Sequence, residues 1–213
     1  MERIIREIIG QYLNKKINKI WAICSKTGHK IPYIVEEAGF NSLLISSIYK
    51  YIEENEQEFS FAVSEASIER NGSKGCRGDI IWYREENICY FELKGSCYGA
   101  SSGVTDVKNA KKALDYAKYQ LQGINCVVNE EWYKVKANNR YFCNLAMLQS
   151  INRDGESNYD QIKEELQKND DIKIFSMNKF SNGNLPIITD GKIEYKNDGY
   201  FIIGNIYNME NIK

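Results

Sequence analysis

Apolar residues recur at intervals of three and four in three stretches of the chain, and each stretch predicts an amphipathic helix. The first stretch lies at the N-terminus, and its apolar positions are Ile5, Ile9, Tyr12, Leu13, Ile17 and Trp21. The second is predicted to begin at Asn41, a suitable N-cap, and it carries Leu44, Ile48 and Tyr51. The third covers "SSGVTDVKNAKKALDYAKYQLQG" and ends at Gly123; its apolar stripe is Val107, Ala110, Leu114, Ala117 and Leu121.

Alternating or continuous apolar runs between and after these helices predict strands. In "EFSFAVSEASIE" the residues Phe59, Phe61 and Val63 alternate, and "RNGSKG" is predicted to be a loop. The runs "GDIIWYRE" and "NICYFELKG" follow and predict an antiparallel hairpin. "INCVV" and "RYFCNLAML" are strand-like, and the last third predicts a helix near "YDQIKEELQK", a strand at "IKIF" and a hairpin turning on "NDG".

The order helix, strand, strand, strand, helix, strand predicts an α/β fold in which a mixed central β-sheet is flanked by helices. The chain has 213 residues, of which 43% are hydrophobic, so it can bury one core. Its formal net charge is -1, so any contact with nucleic acid would depend on a local basic patch. The N-terminus lacks the apolar region of a signal peptide, and no run suits a membrane span, so a cytoplasmic protein is the expectation.

Six scattered cysteines and a single histidine limit the kinds of metal and catalytic sites that the chain can form. The cysteines form no CxxC pair, so we interpret them as small apolar groups in a reducing compartment; they are Cys24, Cys76, Cys89, Cys97, Cys126 and Cys143. His29 alone cannot build a metal site that needs several histidines, and a surface loop residue is the simpler interpretation. Neither a GxGxxG nor a P-loop motif is found, so no nucleotide cofactor is expected.

Charged residues mark one end of the predicted hairpin. Asp79 opens its first strand, and Glu92 and Lys94 close its second. A short turn places residue 79 opposite residue 94, within one or two positions, and side chains two apart share a face of a strand. Both strands are otherwise apolar, as in the central strands of a covered sheet. We therefore expect these three ionisable groups to meet at the end of a buried sheet.

Two adjacent carboxylates repel each other, and a divalent cation relieves that repulsion. Oxygen ligands suit Mg²⁺, whose remaining positions are filled by water and by substrate phosphate. A neighbouring lysine can polarise the attacking water or neutralise charge in a phosphoryl transition state. The combination favours phosphodiester hydrolysis with Mg²⁺ as the cofactor and Mn²⁺ as its substitute.

Asp79, followed by Glu92-Leu93-Lys94, resembles the signature of the PD-(D/E)xK nuclease superfamily, and the element order resembles its restriction-endonuclease-like core. The resemblance implies that Asp79, Glu92 and the backbone carbonyl of Leu93 bind Mg²⁺, and that Lys94 assists the attacking water. Gly78 departs from the pattern, since a proline often precedes the aspartate there.

Members of this superfamily often add an acidic ligand from the first helix or strand. Glu65 continues the face of Phe61 and Val63 and is the first choice here, ahead of Glu53 and Glu54 on the preceding helix. The alternative is a solvated glutamate at the end of a strand.

Many members also place a glutamine or lysine on the downstream helix, facing the active site. Lys111, Asp115, Lys118 and Gln122 form a stripe there, and Lys111, Lys118 and Gln122 are predicted to contact nucleic acid. The alternative is a solvated helix face, in which case the DNA path would lie near Lys134, Lys136 and Arg140.

The sequence thus predicts a Mg²⁺-dependent DNA endonuclease that forms a single domain over residues 1–213. Its core would lie at about 41–148, with an N-terminal helical extension at 1–40 and a C-terminal addition at 149–213. RNA is an alternative substrate, and a homodimer or a second binding event would be needed to cut both strands. The resemblance leaves the biological role open among restriction, repair, mobile-element and phage-defence functions.

Two other classes of protein compete with this interpretation. The first is a catalytically silent nucleic-acid-binding or assembly protein on the same fold. The second is a glycoside hydrolase that uses Asp79 and Glu92 as its carboxylate pair. Lys94, two residues from Glu92, fits phosphate better than sugar.

Overall fold

The computed structural model describes residues 1–27, 37–56, 60–97, 103–127, 139–153, 156–180, 185–190 and 193–208. The interpretation of His29 as a surface residue and the alternative DNA path at Lys134 and Lys136 lie outside these ranges.

Three helical segments follow one another without a break at the N-terminus. They are α1 (Glu2–Glu7), a π-helical segment (Ile8–Leu13) and α2 (Asn14–Thr27). The predicted amphipathic helix is confirmed, because its apolar stripe lies in the core: Ile5, Ile9, Leu13, Ile17 and Trp21 are buried.

The next helix, α3 (Glu37–Glu54), begins before the predicted position. Asn41 is therefore an interior residue of α3, and the prediction that it is an N-cap is wrong. Asn41 is buried, and its Nδ2 donates a hydrogen bond to the backbone carbonyl of Asp79 at 3.1 Å. This bond fixes α3 against the strand that carries Asp79.

The strands and the later helices complete the fold. The strands are β1 (Ser60–Arg70), β2 (Ser73–Arg84), β3 (Asn87–Cys97), β4 (Ile124–Val127), β5 (Asn139–Arg153), β6 (Glu156–Ser157), β7 (Lys173–Lys179), β8 (Ile187–Asp190) and β9 (Ile193–Asn208). The helices are α4 (Gly103–Gln122) and α5 (Tyr159–Gln167), both at predicted positions.

Seven of these strands form one open sheet in the order β4-β1-β2-β3-β5-β9-β7, with β6 beside β5 and β8 beside β9. β3 and β5 pair in parallel, whereas the other neighbours are antiparallel. α4 lies between β3 and β5 in the chain, as the crossover of a parallel pair requires. The predicted α/β class and the mixed central sheet are confirmed.

Helices cover both faces of the sheet. Leu93 and Leu145 pack on one face with α1 to α3, whereas Ala146 and Leu148 pack on the other with α4 and α5. This two-sided burial explains why the central strands are largely apolar on both faces. Within the described ranges, none of the helices combines the length and apolar character needed to cross a membrane.

The cysteines in the described ranges agree with the prediction that they serve as small apolar groups. Cys24, Cys89 and Cys143 are buried free thiols, and Cys76 is a half-buried one. Burial raises the pKa of Cys24, Cys89 and Cys143. These thiols therefore behave as small apolar groups.

One predicted loop is too long, and one predicted turn is wrong. Only Asn71 and Gly72 separate β1 from β2, both with positive φ (51° and 77°), so most of "RNGSKG" belongs to the strands of a tight hairpin. The "NDG" sequence lies inside β9, where Asn197 and Asp198 are buried. The register against β5 shifts at this point, so the segment forms a β-bulge instead of a turn.

Candidate functional site

The sheet branches where β2 and β3 separate. These strands pair from Arg84 and Asn87 only as far as Ile80 and Phe91. Beyond that pair, β2 stays with β1 and β3 stays with β5. The register places Asp79 opposite Glu92, within the range predicted from the sequence. We call this position, defined by Asp79 and Glu92, the branch point.

Asp79 bridges the two separating strands. Its Oδ2 accepts a hydrogen bond from the backbone N–H of Leu93 at 2.6 Å, so the carboxylate replaces a partner strand there. Burial, followed by the charge of Glu92, raises the pKa of Asp79 to about 7, although the Leu93 N–H acts in the opposite direction. The Asp79 carboxyl therefore titrates near neutral pH.

Glu92 is buried, and both of its carboxylate oxygens contact cations. Lys94 Nζ lies 3.1 Å from Oε1, and Arg70 Nη2 lies 3.1 Å from Oε2. Burial raises the pKa of Glu92, whereas Lys94 and Arg70 act to lower it. The carboxylate is thus held in place between two basic side chains.

Lys94 has neighbours from two helices. Its Nζ lies 3.8 Å from Glu37 Oε2, in the first turn of α3, and 5.8 Å from the centre of the Tyr116 ring on α4. Only 14% of the Lys94 side chain is exposed, whereas 49% of Glu37 is exposed. The structure therefore brings Asp79, Glu92 and Lys94 together as predicted and adds Glu37 at the edge of the site.

Glu65 does not continue the face of Phe61 and Val63, because its backbone is left-handed (φ 55°). Phe61 and Val63 pack in the same cluster as Ala66, so the inward alternation of β1 shifts by one residue at Glu65. The Glu65 side chain is 54% exposed and lies 3.8 Å from Arg77. The structure does not bring it to Glu92.

The other acidic candidates, Glu53 and Glu54, lie at the opposite end of α3 from Glu37. Both lie within 4 Å of Lys50, at 2.9 and 3.4 Å. The structure keeps them away from the branch point, since α3 is about 25 Å long.

The predicted stripe on α4 points away from Lys94. Lys111 forms an ion pair with Asp171 at 3.1 Å, and Lys118 lies 5.2 Å from the centre of the Tyr207 ring. Gln122 is exposed at the end of the helix. Their contact with nucleic acid stays a prediction, and the α4 side chain beside Lys94 is Tyr116.

Arg70 and Glu37 are the residues that sequence reasoning missed. Arg70 follows Ala66 and Ile68 on the inward face of β1, so a cation at an apolar position was the available signal. Its side chain is 17% exposed, and its Nε has no hydrogen-bond partner among the described residues. Glu37 gave no periodic signal, because it lies at the start of the helix.

The donors at the branch point suit a hard cation. Asp79 and Glu92 provide carboxylate oxygens. The backbone N–H of Leu93 points towards Asp79, and the carbonyl of the same residue points to the same side of β3. No group of three or more His, Cys, Asp and Glu side chains in the described ranges is arranged to hold a metal ion. The fit therefore depends on two carboxylates and a carbonyl, with the remaining positions left for water and phosphate, which is usual for Mg²⁺.

Comparisons of the chain with models of known protein families, with curated proteins and with solved structures gave no match.

Proposed function

We propose that the protein is a Mg²⁺-dependent DNA endonuclease of the restriction-endonuclease-like kind. The observation that supports this best is the meeting of Asp79, Glu92 and Lys94 at the branch point, with Lys94 Nζ 3.1 Å from Glu92 Oε1. Two largely buried carboxylates with raised pKa values beside a lysine are typical of a catalytic site.

Each residue has a distinct role in the proposed reaction. Asp79, Glu92 and the Leu93 carbonyl would hold Mg²⁺, which when bound supplies a water of lowered pKa and neutralises phosphate charge. Asp79 must be deprotonated for this, and the Leu93 N–H favours its carboxylate form. Lys94 can hold a proton beside the attacking water and can offset negative charge on the phosphoryl oxygens.

The test is cleavage of plasmid DNA in Mg²⁺ by variants of the two carboxylates. Asp79→Ala and Glu92→Ala should each abolish cleavage while the circular dichroism spectrum stays native. Glu156→Ala is the matched control, because Glu156 is exposed and lies on β6, away from the branch point. Duplex DNA and RNA of equal length, tested in parallel, decide between the two substrates.

Metal binding is measured separately from cleavage. The melting temperature of the wild type should rise with Mg²⁺ or Mn²⁺, because only the folded state holds the site, and that of Glu92→Ala should stay constant. A Glu92→Ala protein that still cuts DNA would contradict the proposal.

One observation favours a second candidate, a catalytically silent nucleic-acid-binding protein on the same fold. Both oxygens of Glu92 already contact a cation, so the buried carboxylate is satisfied without a metal. For this candidate, Mn²⁺ leaves the melting temperature unchanged, and duplex binding is equal in EDTA and in Mg²⁺.

A further inference from the structure

A basic cavity of about 430 Å³ lies between the N-terminal helices and α3. We call it the lysine cavity, and its lining residues are Gln11, Tyr12, Lys15, Lys16, Lys19, Lys50 and Glu54. Four lysines and one glutamate leave a formal excess of three positive charges in a chain whose net charge is -1. The cavity is therefore a local basic site on a protein that is close to neutral.

The cavity has fewer acids than lysines. Lys16 and Lys19 form no ion pair with a described carboxylate, and Lys16 Nζ donates to the neutral Ser46 Oγ at 2.8 Å. Lys15 forms no ion pair either, but its charge acts on Glu54 and helps to lower the pKa of that carboxyl. Lys50 does contact Glu53 and Glu54. Glu54 is shared, however, because it also acts on the Tyr12 hydroxyl and raises its pKa.

The core keeps these like charges close together. Leu13, Ile17 and Ile48 are buried beneath the lysines, so the helices that carry them cannot separate. Burial, and then the charge of Lys50, lowers the pKa of Lys16. An anion in the cavity would relieve this repulsion, as a cation relieves repulsion between adjacent carboxylates.

We propose that the lysine cavity is a binding site for phosphate groups, separate from the branch point. Lysine binds phosphate as a point charge, and several converging lysines favour an ion with more than one negative charge. Glu37, at the start of α3, contacts Lys94, whereas Lys50 lies about 20 Å further along that helix. The two sites therefore lie near opposite ends of α3.

Two sources can supply the phosphate. A duplex seated at the branch point presents further backbone phosphates about 20 Å away, since it carries one charge per about 1.7 Å of its axis. This source rests on the proposed function. Free compounds with several phosphates are the other source, and that arm is independent of nuclease activity.

The test compares two double variants of the full chain that lose equal charge. Lys15→Gln/Lys19→Gln removes two cavity lysines and leaves the bond between Lys16 and Ser46 intact. Lys26→Gln/Lys173→Gln is the control, because neither residue lines the cavity. Duplex binding is followed by fluorescence anisotropy over a range of salt concentrations with Ca²⁺, and binding of inorganic pyrophosphate by calorimetry, with melting curves to confirm folding.

For the backbone source, the cavity variant should bind duplex at least about tenfold more weakly, and its salt slope should fall by about two, because two phosphate contacts are lost. For the free source, duplex binding stays at the level of the control, but pyrophosphate binding is lost in the cavity variant alone. If neither ligand distinguishes the cavity variant from the control, the site does not exist. A wild type that binds but never cuts DNA would overturn the nuclease proposal and leave this one standing.

Discussion

At the scale of single residues, Glu92 is notable for the two cations that hold it. Lys94 comes from the same strand, and Arg70 reaches Glu92 from the end of β1. Arg70 therefore lies against a carboxylate oxygen that a divalent cation would use. Removing its guanidinium should have two opposite effects, since it compensates the buried charge and, under the proposed function, would also compete with the metal.

Arg70→Gln should lower the free energy of unfolding of the metal-free protein by about 3 kcal/mol, because Glu92 loses one partner in a buried place. The rise in melting temperature with Mn²⁺ should nevertheless exceed that of the wild type, because a competing charge is gone. Calorimetric melts in EDTA and in increasing Mn²⁺ measure both effects. Arg77→Gln, with a side chain that is 74% exposed, is the control. An equal Mn²⁺ response in Arg70→Gln and the wild type would mean that Arg70 does not compete.

Under the proposed function, Lys94→Ala should slow the chemical step of DNA cleavage and leave most of the affinity for DNA. A positioned proton-transfer group contributes about 10²-fold or more to the rate, so single-turnover cleavage should fall by at least that factor. Lys94→Arg should be nearly as slow, because a guanidinium stays protonated at neutral pH and cannot act as a base. Quenched-flow cleavage and anisotropy in Ca²⁺ separate the two steps. An unchanged rate in Lys94→Ala would make the residue a structural ion-pair partner only.

At the scale of elements, Asp79 connects β2 to β3 at the point where their backbone pairing ends. Its charged form is unfavourable there, because the carboxylate is largely buried and lies near Glu92. Its folded-state pKa of about 7 lies above its ordinary value of 3.8, so the folded protein binds the proton more tightly than the unfolded chain. The stabilising contribution is therefore complete below about pH 4 and is lost as the pH rises through 7.

Asp79→Asn should keep the hydrogen bond from the Leu93 N–H and should not lose stability as the pH rises through 7. In EDTA, the variant should be more stable than the wild type at pH 8 and equal to it near pH 4, with a difference of at most about 4 kcal/mol. Urea unfolding at both pH values measures this. Asp106, whose pKa burial raises to about 7, titrates in the same direction in both proteins, so the comparison removes its effect. A difference that does not change with pH would contradict the assignment to Asp79.

The elements also show what the sequence could predict. Local periodicity predicted the helices, and the apolar runs predicted the hairpin and the meeting of Asp79, Glu92 and Lys94. Asn41 was misassigned because α3 begins at Glu37, and the partner that explains its buried side chain, Asp79, is distant in the chain. The bulge at Asn197 was missed because its side chain is held by Trp21 and Gln149, which no local pattern reveals.

At the scale of the whole molecule, each chain carries one set of Asp79, Glu92 and Lys94, which under the proposed function would cut one strand of a duplex. If two chains must combine to cut both strands, nicked circles should accumulate at low protein concentration, and linear DNA should appear with about the square of that concentration. Gel densitometry over a dilution series, with light scattering for the mass, tests this. Linear product that forms in first order from a protein of monomer mass would exclude the need for a second chain.

The hydrogen bond from the Leu93 amide to Asp79 makes this amide a natural spectroscopic reporter. An amide proton that donates to a carboxylate resonates downfield, and its frequency changes when the acceptor is protonated or neutralised. The Leu93 cross-peak in a nitrogen-15 spectrum should therefore move as Asp79 titrates near pH 7, and should stop responding to pH once a divalent cation fixes the carboxylate. One isotope-labelled residue would thus report on the charge state of the branch point without any added dye or substrate.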